Sequence, residues 1–127
     1  MSIQVRARDG VRILELTGDF TVGRHLAKPR DLQGRPLDDL RKTIDEMLEK
    51  GDFRIVLDLA PMKFIDSAGL GELIACRKAA VQRGGDIKIL HPAGKVKELL
   101  VLTLLTDVFE IFQDEEEAVR SFGRATG

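Results

Sequence analysis

The chain opens with apolar residues on both sides of a turn-forming dipeptide. Ile3 and Val5 precede Asp9-Gly10, and the apolar positions of 11–16 follow it. Asp-Gly favours a tight turn between two strands, so the pattern predicts an opening β-hairpin. Between residues 19 and 36 the periodicity disappears, and two glycines and two prolines predict a loop.

Helical and strand-like segments alternate after this loop. Apolar residues at helical spacing predict helices over 36–50, 70–81, 96–103 and 114–122. Pro36 starts the first helix, Ile74 and Val81 belong to the apolar stripe of the second, and Asp114 caps the fourth. Short, largely apolar runs predict strands at 54–59, 87–90 and 108–112.

An antiparallel hairpin followed by alternating strands and helices predicts an α/β fold with a mixed sheet. We expect four to five strands and about four helices. The 127 residues fit one domain over 1–127, with the loop at 19–36 as an insertion before the first helix.

Charge and composition exclude several classes of function. The 20 basic and 21 acidic residues give a net charge of −1 at pH 7, without the basic excess typical of nucleic-acid binders. The longest apolar run, 99–105, is far shorter than the roughly 20 residues needed to span a bilayer, and no signal peptide follows Met1. One cysteine and two distant histidines offer no metal-ligand spacing. We therefore expect a cytoplasmic protein with no membrane span, no nucleic-acid partner, no metal and no cofactor.

The most informative segment is F-I-D-S-A-G-L-G at 64–71, between a strand and a helix. Ser67 lies at or beside the predicted helix N-cap, where a capping hydroxyl is the simplest interpretation. A hydrolase nucleophile elbow would need glycine two residues before the serine, where the chain has Ile65. A dinucleotide fingerprint starting at Gly69 fails because its third glycine position is Ile74. These residues predict no enzyme.

With I-V-L-D-L at 55–59, Gly84-Gly85 and V-F-E-I-F at 108–112, this segment resembles the STAS family over about 11–122. In the anti-sigma-factor antagonists of that family, the serine after the aspartate is phosphorylated, and by position this is Ser67. The resemblance implies a non-enzymatic regulator whose unphosphorylated form binds an anti-sigma factor that is also a serine kinase. The sigma factor is thereby released, and a serine phosphatase is a further partner.

The resemblance places the partner-binding surface at Asp66, Ser67, Ala68 and Gly69, and Ser67 carries the switch. The segment after the hairpin adds the remaining candidates, which are Asp19, Thr21, Arg24 and Arg30.

Three departures from the family pattern alter this picture. Thr21 stands where related antagonists have aspartate, and the loop at 19–36 delays the first helix, which usually begins soon after the hairpin. Leu104 replaces the glycine that commonly ends the third helix. The alternative function is a STAS scaffold without a phosphorylation cycle, or a soluble partner of a sensory or transporter complex. Small-ligand binding at the strand ends is the least favoured class.

Overall fold

The opening hairpin forms the antiparallel edge of the sheet. In this computed structural model, which describes residues 1–22 and 39–124, β1 (Ser2–Arg8) pairs with β2 (Val11–Phe20). Asp9 and Gly10 form the turn with φ of 51° and 80°, as the Asp-Gly dipeptide predicts. The predicted hairpin is confirmed.

Helices and strands then alternate to complete a mixed α/β fold. The remaining elements are α1 (Asp39–Glu49), β3 (Arg54–Asp58), β4 (Met62–Ile65), α2 (Ser67–Gln82), β5 (Asp86–Leu90), α3 (Gly94–Leu102), β6 (Ile111–Phe112) and α4 (Glu115–Arg124). The strand order is β1-β2-β3-β5-β6, and β4 pairs with β2. The predicted fold class is confirmed, with six strands in the described residues where four to five were expected.

The additional strand, β4, lengthens β2 beyond the predicted start of the loop. Asp19 pairs with Phe64 and Phe20 with Ile65, in parallel, after a register shift between Gly18 and Asp19. The prediction that the loop begins at Asp19 was therefore wrong. These residues remain in a strand because β4 supplies their hydrogen-bonding partners.

Both faces of the central strands are buried. Leu14 and Leu57 belong to a core cluster with residues of α1, α2 and α3, whereas Ile13 and Val56 pack with residues of α4 on the other face. Strands covered on both sides read as continuous apolar runs, which explains the pattern at 54–59. Full burial of each such side chain stabilises the fold by about 2 kcal/mol.

Two predictions about α2 were wrong, and one about the start of α1 falls on residues that the structure does not describe. Ile74 and Val81 are 39% and 45% exposed, because Leu73, Cys76 and Ala80 already fill the buried face of α2. The predicted start of α1 at Pro36 lies outside the described residues.

The last strand is shorter than predicted. We expected it over 108–112, but a 3-10 turn occupies Leu105–Asp107 and only Ile111–Phe112 pairs with β5. Leu104 has a left-handed conformation at φ 60°, which ends the preceding α-helical path and redirects the chain.

The closing helix is fixed to the first strand. The Asp114 carboxylate accepts the Glu117 N–H at 3.1 Å, which confirms its predicted capping role. Glu115 forms ion pairs with Arg6 and Arg8 of β1. None of the helices in the described residues is long and apolar enough to cross a membrane.

Candidate functional site

The turn between β4 and α2 is organised by Asp66. This residue is the N-cap of α2, in an extended conformation with φ −93° and ψ 174°, and its Oδ1 accepts the Gly69 N–H at 2.7 Å. The same oxygen accepts the Val22 N–H at 3.2 Å. One carboxylate thus satisfies a free donor of the helix and joins the helix to the segment after β2.

Ser67 is the first residue of α2 and is exposed to solvent. The interpretation of its hydroxyl as the helix cap was wrong, because Asp66 caps the helix. Within the described residues, the Ser67 hydroxyl makes no hydrogen bond. The hydroxyl therefore lies at the positive end of the helix dipole and does not cap the helix.

Close packing holds this turn against the end of β2. The Asp66 N–H donates to the Phe20 carbonyl at 3.2 Å. A β-carbon on Gly69 would lie 2.7 Å from the Phe20 carbonyl oxygen and 2.9 Å from Cγ1 of Ile65. Only glycine fits there without displacing the backbone, so the position of Ser67 is fixed by the sheet.

The structure brings most of the predicted partner-binding residues together. Thr21 lies between Phe20 and Val22, the two residues that bond to Asp66, and Asp19 is exposed on the adjoining end of β2. Ala68 is exposed beside Ser67. Asp19, Thr21 and the segment from Asp66 to Gly69 therefore belong to one end of the sheet. Arg24 and Arg30 lie outside the described residues.

Ile74 is an exposed residue near this site that the sequence pattern did not indicate as part of it. Ser67, Gly71 and Ile74 are exposed at spacings of four and seven residues, so they follow one another along one face of α2. Ile74 is 39% exposed and continues the Ser67 surface with an apolar side chain. A hydrophobic stripe that extends around most of a helix could have indicated a second contact face.

The residues next to Ser67 in the chain are Asp66, whose carboxylate caps the helix, and the small residues Ala68 and Gly69. In the described part of the chain, no three His, Cys, Asp or Glu side chains are grouped so that they could hold a metal ion. The turn therefore presents the Ser67 side chain on the surface.

Comparison with known proteins places this geometry in a family. The STAS domain model matches residues 35–118, and the chain belongs to the STAS domain family. An anti-sigma F factor antagonist of Paenibacillus polymyxa is 27% identical over 120 residues, which cover 94% of this chain and 92% of that protein.

Solved structures show the same architecture. The Thermotoga maritima protein TM1081 has 27% identity and a TM-score of 0.76 by its NMR structure, over 98% of this chain and 90% of that one. The Bacillus antagonist SpoIIAA, in its phosphorylated form, has a TM-score of 0.63 at 17% identity, over 94% of this chain and 98% of that one. At this identity the likeness to SpoIIAA concerns the fold alone.

Proposed function

We propose that this chain is an anti-sigma factor antagonist, and that phosphorylation of Ser67 switches its binding to an anti-sigma factor off. The observation that carries the proposal is the exposed Ser67 hydroxyl on a turn fixed by Asp66 and Gly69. The name of the Paenibacillus polymyxa relative supports the choice of partner. The chain acts as a kinase substrate and not as an enzyme, in the cytoplasm, where transcription takes place.

The switch follows from charge. A phosphate on Ser67 adds about −1.5 to −2 charges at pH 7, directly beside the Asp66 carboxylate. In the free protein the phosphate is tolerated, because it lies in solvent at the start of α2, where the dipole stabilises it by about 0.3 to 1 kcal/mol. In a complex it must lose water next to a like charge, so docking is opposed while the fold is retained.

The docking surface consists of the exposed residues around Ser67. Ala68 and Ile74 supply apolar area along α2, and Asp19 and Thr21 border it on the β2 side. An anti-sigma factor with serine kinase activity must place its ATP-binding site over Ser67, which the exposed position of this residue permits. A serine phosphatase that restores binding reaches the same hydroxyl.

Phosphorylation and binding are tested with the purified anti-sigma factor kinases of the source organism. Incubation with ATP should add one phosphate by intact mass, absent in Ser67→Ala. Ser67→Asp should bind at least tenfold more weakly than Ser67→Ala in calorimetry, which corresponds to about 1.4 kcal/mol. Ser2→Asp is the matched control, because it adds the same charge on exposed β1.

The outcomes separate the two candidate functions. Full phosphorylation of Ser67→Ala contradicts the assignment of the site. Equal affinity of Ser67→Ala and Ser67→Asp for the partner contradicts the switch and points to a STAS scaffold without a phosphorylation cycle.

The basic residues after Val22 form a further part of the proposal. Arg24 and Arg30 follow closely on the residue whose N–H bonds to Asp66, and we assign them contacts with an acidic partner surface or with the phosphate. Reversal of both to glutamate should slow association, most strongly at low salt, with little change in melting temperature. Unchanged association rates in low salt would show that Arg24 and Arg30 do not contribute to the interface.

A further inference from the structure

Exposed apolar side chains are concentrated after the middle of α3. Val101, Leu102, Leu104 and Val108 are 51%, 70%, 66% and 37% exposed, and we call them the α3-end patch. They are four of the eight large hydrophobic residues that are exposed in the described part of the chain. Such local concentration is typical of a protein contact surface.

Leu104, one of the exposed residues of the patch, also has an unusual backbone conformation. Leu104 has φ 60° and ψ 21°, a left-handed conformation that is unfavourable for residues with a β-carbon. Glycine would adopt it without strain. Leu104 is therefore unfavourable in the free chain in two ways, by its backbone conformation and by the exposure of its apolar side chain. Contact of this side chain with a partner would offset that cost.

The patch adjoins a cleft that can receive apolar side chains. The cleft has a volume of about 640 Å³ and is bordered by Val101 and Val108, with the buried Phe109 among its lining residues. The same surface therefore carries exposed leucines and a cleft that could receive the leucines of a second copy. Such self-complementarity is what a two-fold symmetric contact requires.

The charges beside the cleft are also self-complementary. Lys97 and Asp107 line it, and neither forms an ion pair within the described residues. The other charged lining residues, Arg77 and Glu110, already pair with residues of β5. If two copies face each other with antiparallel α3 helices, Lys97 of each meets Asp107 of the other.

The patch lies at the opposite edge of the sheet from Ser67. β4 and β5 run in the same direction, so Ser67 and Gly94, the first residues of α2 and α3, both follow the carboxyl ends of their strands. The nine residues of α3 then run for about 13 Å away from that edge. Arg77 marks the other edge, because it pairs with Asp86 at the amino end of β5 and lies 6.0 Å from the Phe109 ring, which lines the cleft. Contact through the patch therefore leaves Ser67 accessible.

We propose that the α3-end patch is a dimerisation surface that binds a second copy of this chain through an antiparallel, two-fold symmetric contact between α3 helices. The apolar residues form its centre, and the Lys97–Asp107 pairs form its edges. This proposal does not depend on the proposed function.

Sedimentation equilibrium of the full chain, from micromolar to millimolar concentration, measures the association. Leu104→Gly should weaken dimerisation at least tenfold and raise the urea midpoint of the dilute monomer, because it removes both the apolar contact and the backbone strain. Val5→Thr, a change at a 49% exposed residue of β1, is the control and should leave association unchanged. A wild-type chain that stays monomeric throughout, or an unaffected Leu104→Gly dimer, overturns the proposal.

Charge reversal tests the symmetry. Lys97→Asp and Asp107→Lys should each weaken self-association, because each places like charges in contact across the two-fold axis. An equimolar mixture of the two variants should associate again, since both edge pairs are then opposite in sign. Failure of the mixture to associate more strongly than either variant overturns the antiparallel arrangement.

Discussion

Asp66 accepts backbone hydrogen bonds from α2 and from the segment after β2 through one oxygen. Asp66→Ala removes the cap of α2 and the acceptor for Val22, so we expect a loss of about 2 kcal/mol in the free energy of unfolding. Asp66→Asn keeps an acceptor oxygen and should lose less. Ser67→Ala should stay within about 0.5 kcal/mol of wild type, and urea unfolding of the three variants measures the order. A larger loss for Ser67→Ala than for Asp66→Ala would contradict the assignment of the cap.

Two glycines of the same helix turn should respond oppositely to alanine. Gly69→Ala forces a β-carbon to 2.7 Å from the Phe20 carbonyl oxygen and should destabilise the fold by about 1 to 3 kcal/mol. Gly71→Ala meets nothing within 4 Å and should stabilise it by about 0.4 to 1 kcal/mol through higher helix propensity. Thermal unfolding of the pair checks the sign, and equal effects would show that packing against β2 does not fix the turn.

At this scale, the sequence identified the right segment and the wrong capping residue. Asp66 and Ser67 are both good N-cap residues, and local preference does not separate them. In the structure Asp66 also accepts the Val22 N–H, which comes from 44 residues away in the chain. A long-range contact of this kind has no local signature.

At the scale of elements, β1 and α4 are joined by Glu115. The hydrogen bond from Arg6 lowers the pKa of Glu115 below its usual value of 4.5, against the opposing effect of burial. Because the folded-state pKa is lowered, the ion pairs contribute stability above the usual pKa and lose it as pH falls through the lowered pKa.

Glu115→Gln should therefore reduce stability at neutral pH by up to about 1 kcal/mol, since these are largely surface pairs. The deficit relative to wild type should shrink as the pH is lowered below 4.5, and urea unfolding at neutral and acidic pH measures it. Glu117→Gln is the control, because Glu117 is an exposed neighbour that forms no ion pair within the described residues, whereas Glu116 pairs with Arg120. A deficit that does not change with pH would show that the ion pairs are not the cause.

Element types were predictable wherever the apolar pattern was long, and errors arose in short segments. The hairpin, the central strands and the amphipathic helices follow from residue patterning. β4 has four residues and is defined by pairing with the far end of β2, so no period reveals it. The overlong prediction for β6 treated 108–110 as strand, whereas the chain is still leaving the 3-10 turn there.

At the scale of the whole molecule, the two proposed surfaces should behave independently. Ser67→Asp should weaken partner binding and leave the dimer unchanged, because Ser67 and the α3-end patch lie toward opposite ends of the helical layer. Leu104→Gly should weaken the dimer and leave partner affinity unchanged. Sedimentation equilibrium and calorimetry on both variants test this, and a change in both properties in either variant would show that the surfaces are coupled.

The edge position of β1 has a consequence for local opening. Six of its seven residues are exposed and Ile3 alone is half-buried against the core, so the strand is held mainly by its hydrogen bonds to β2 and by ion pairs of Arg6 and Arg8 with β2, β3 and α4. Its amide protons should therefore exchange with deuterium through local detachment, well before those of β3 and β5. Detachment would uncover one edge of β2, a ten-residue strand that a neighbouring molecule's β1 could then join by strand exchange.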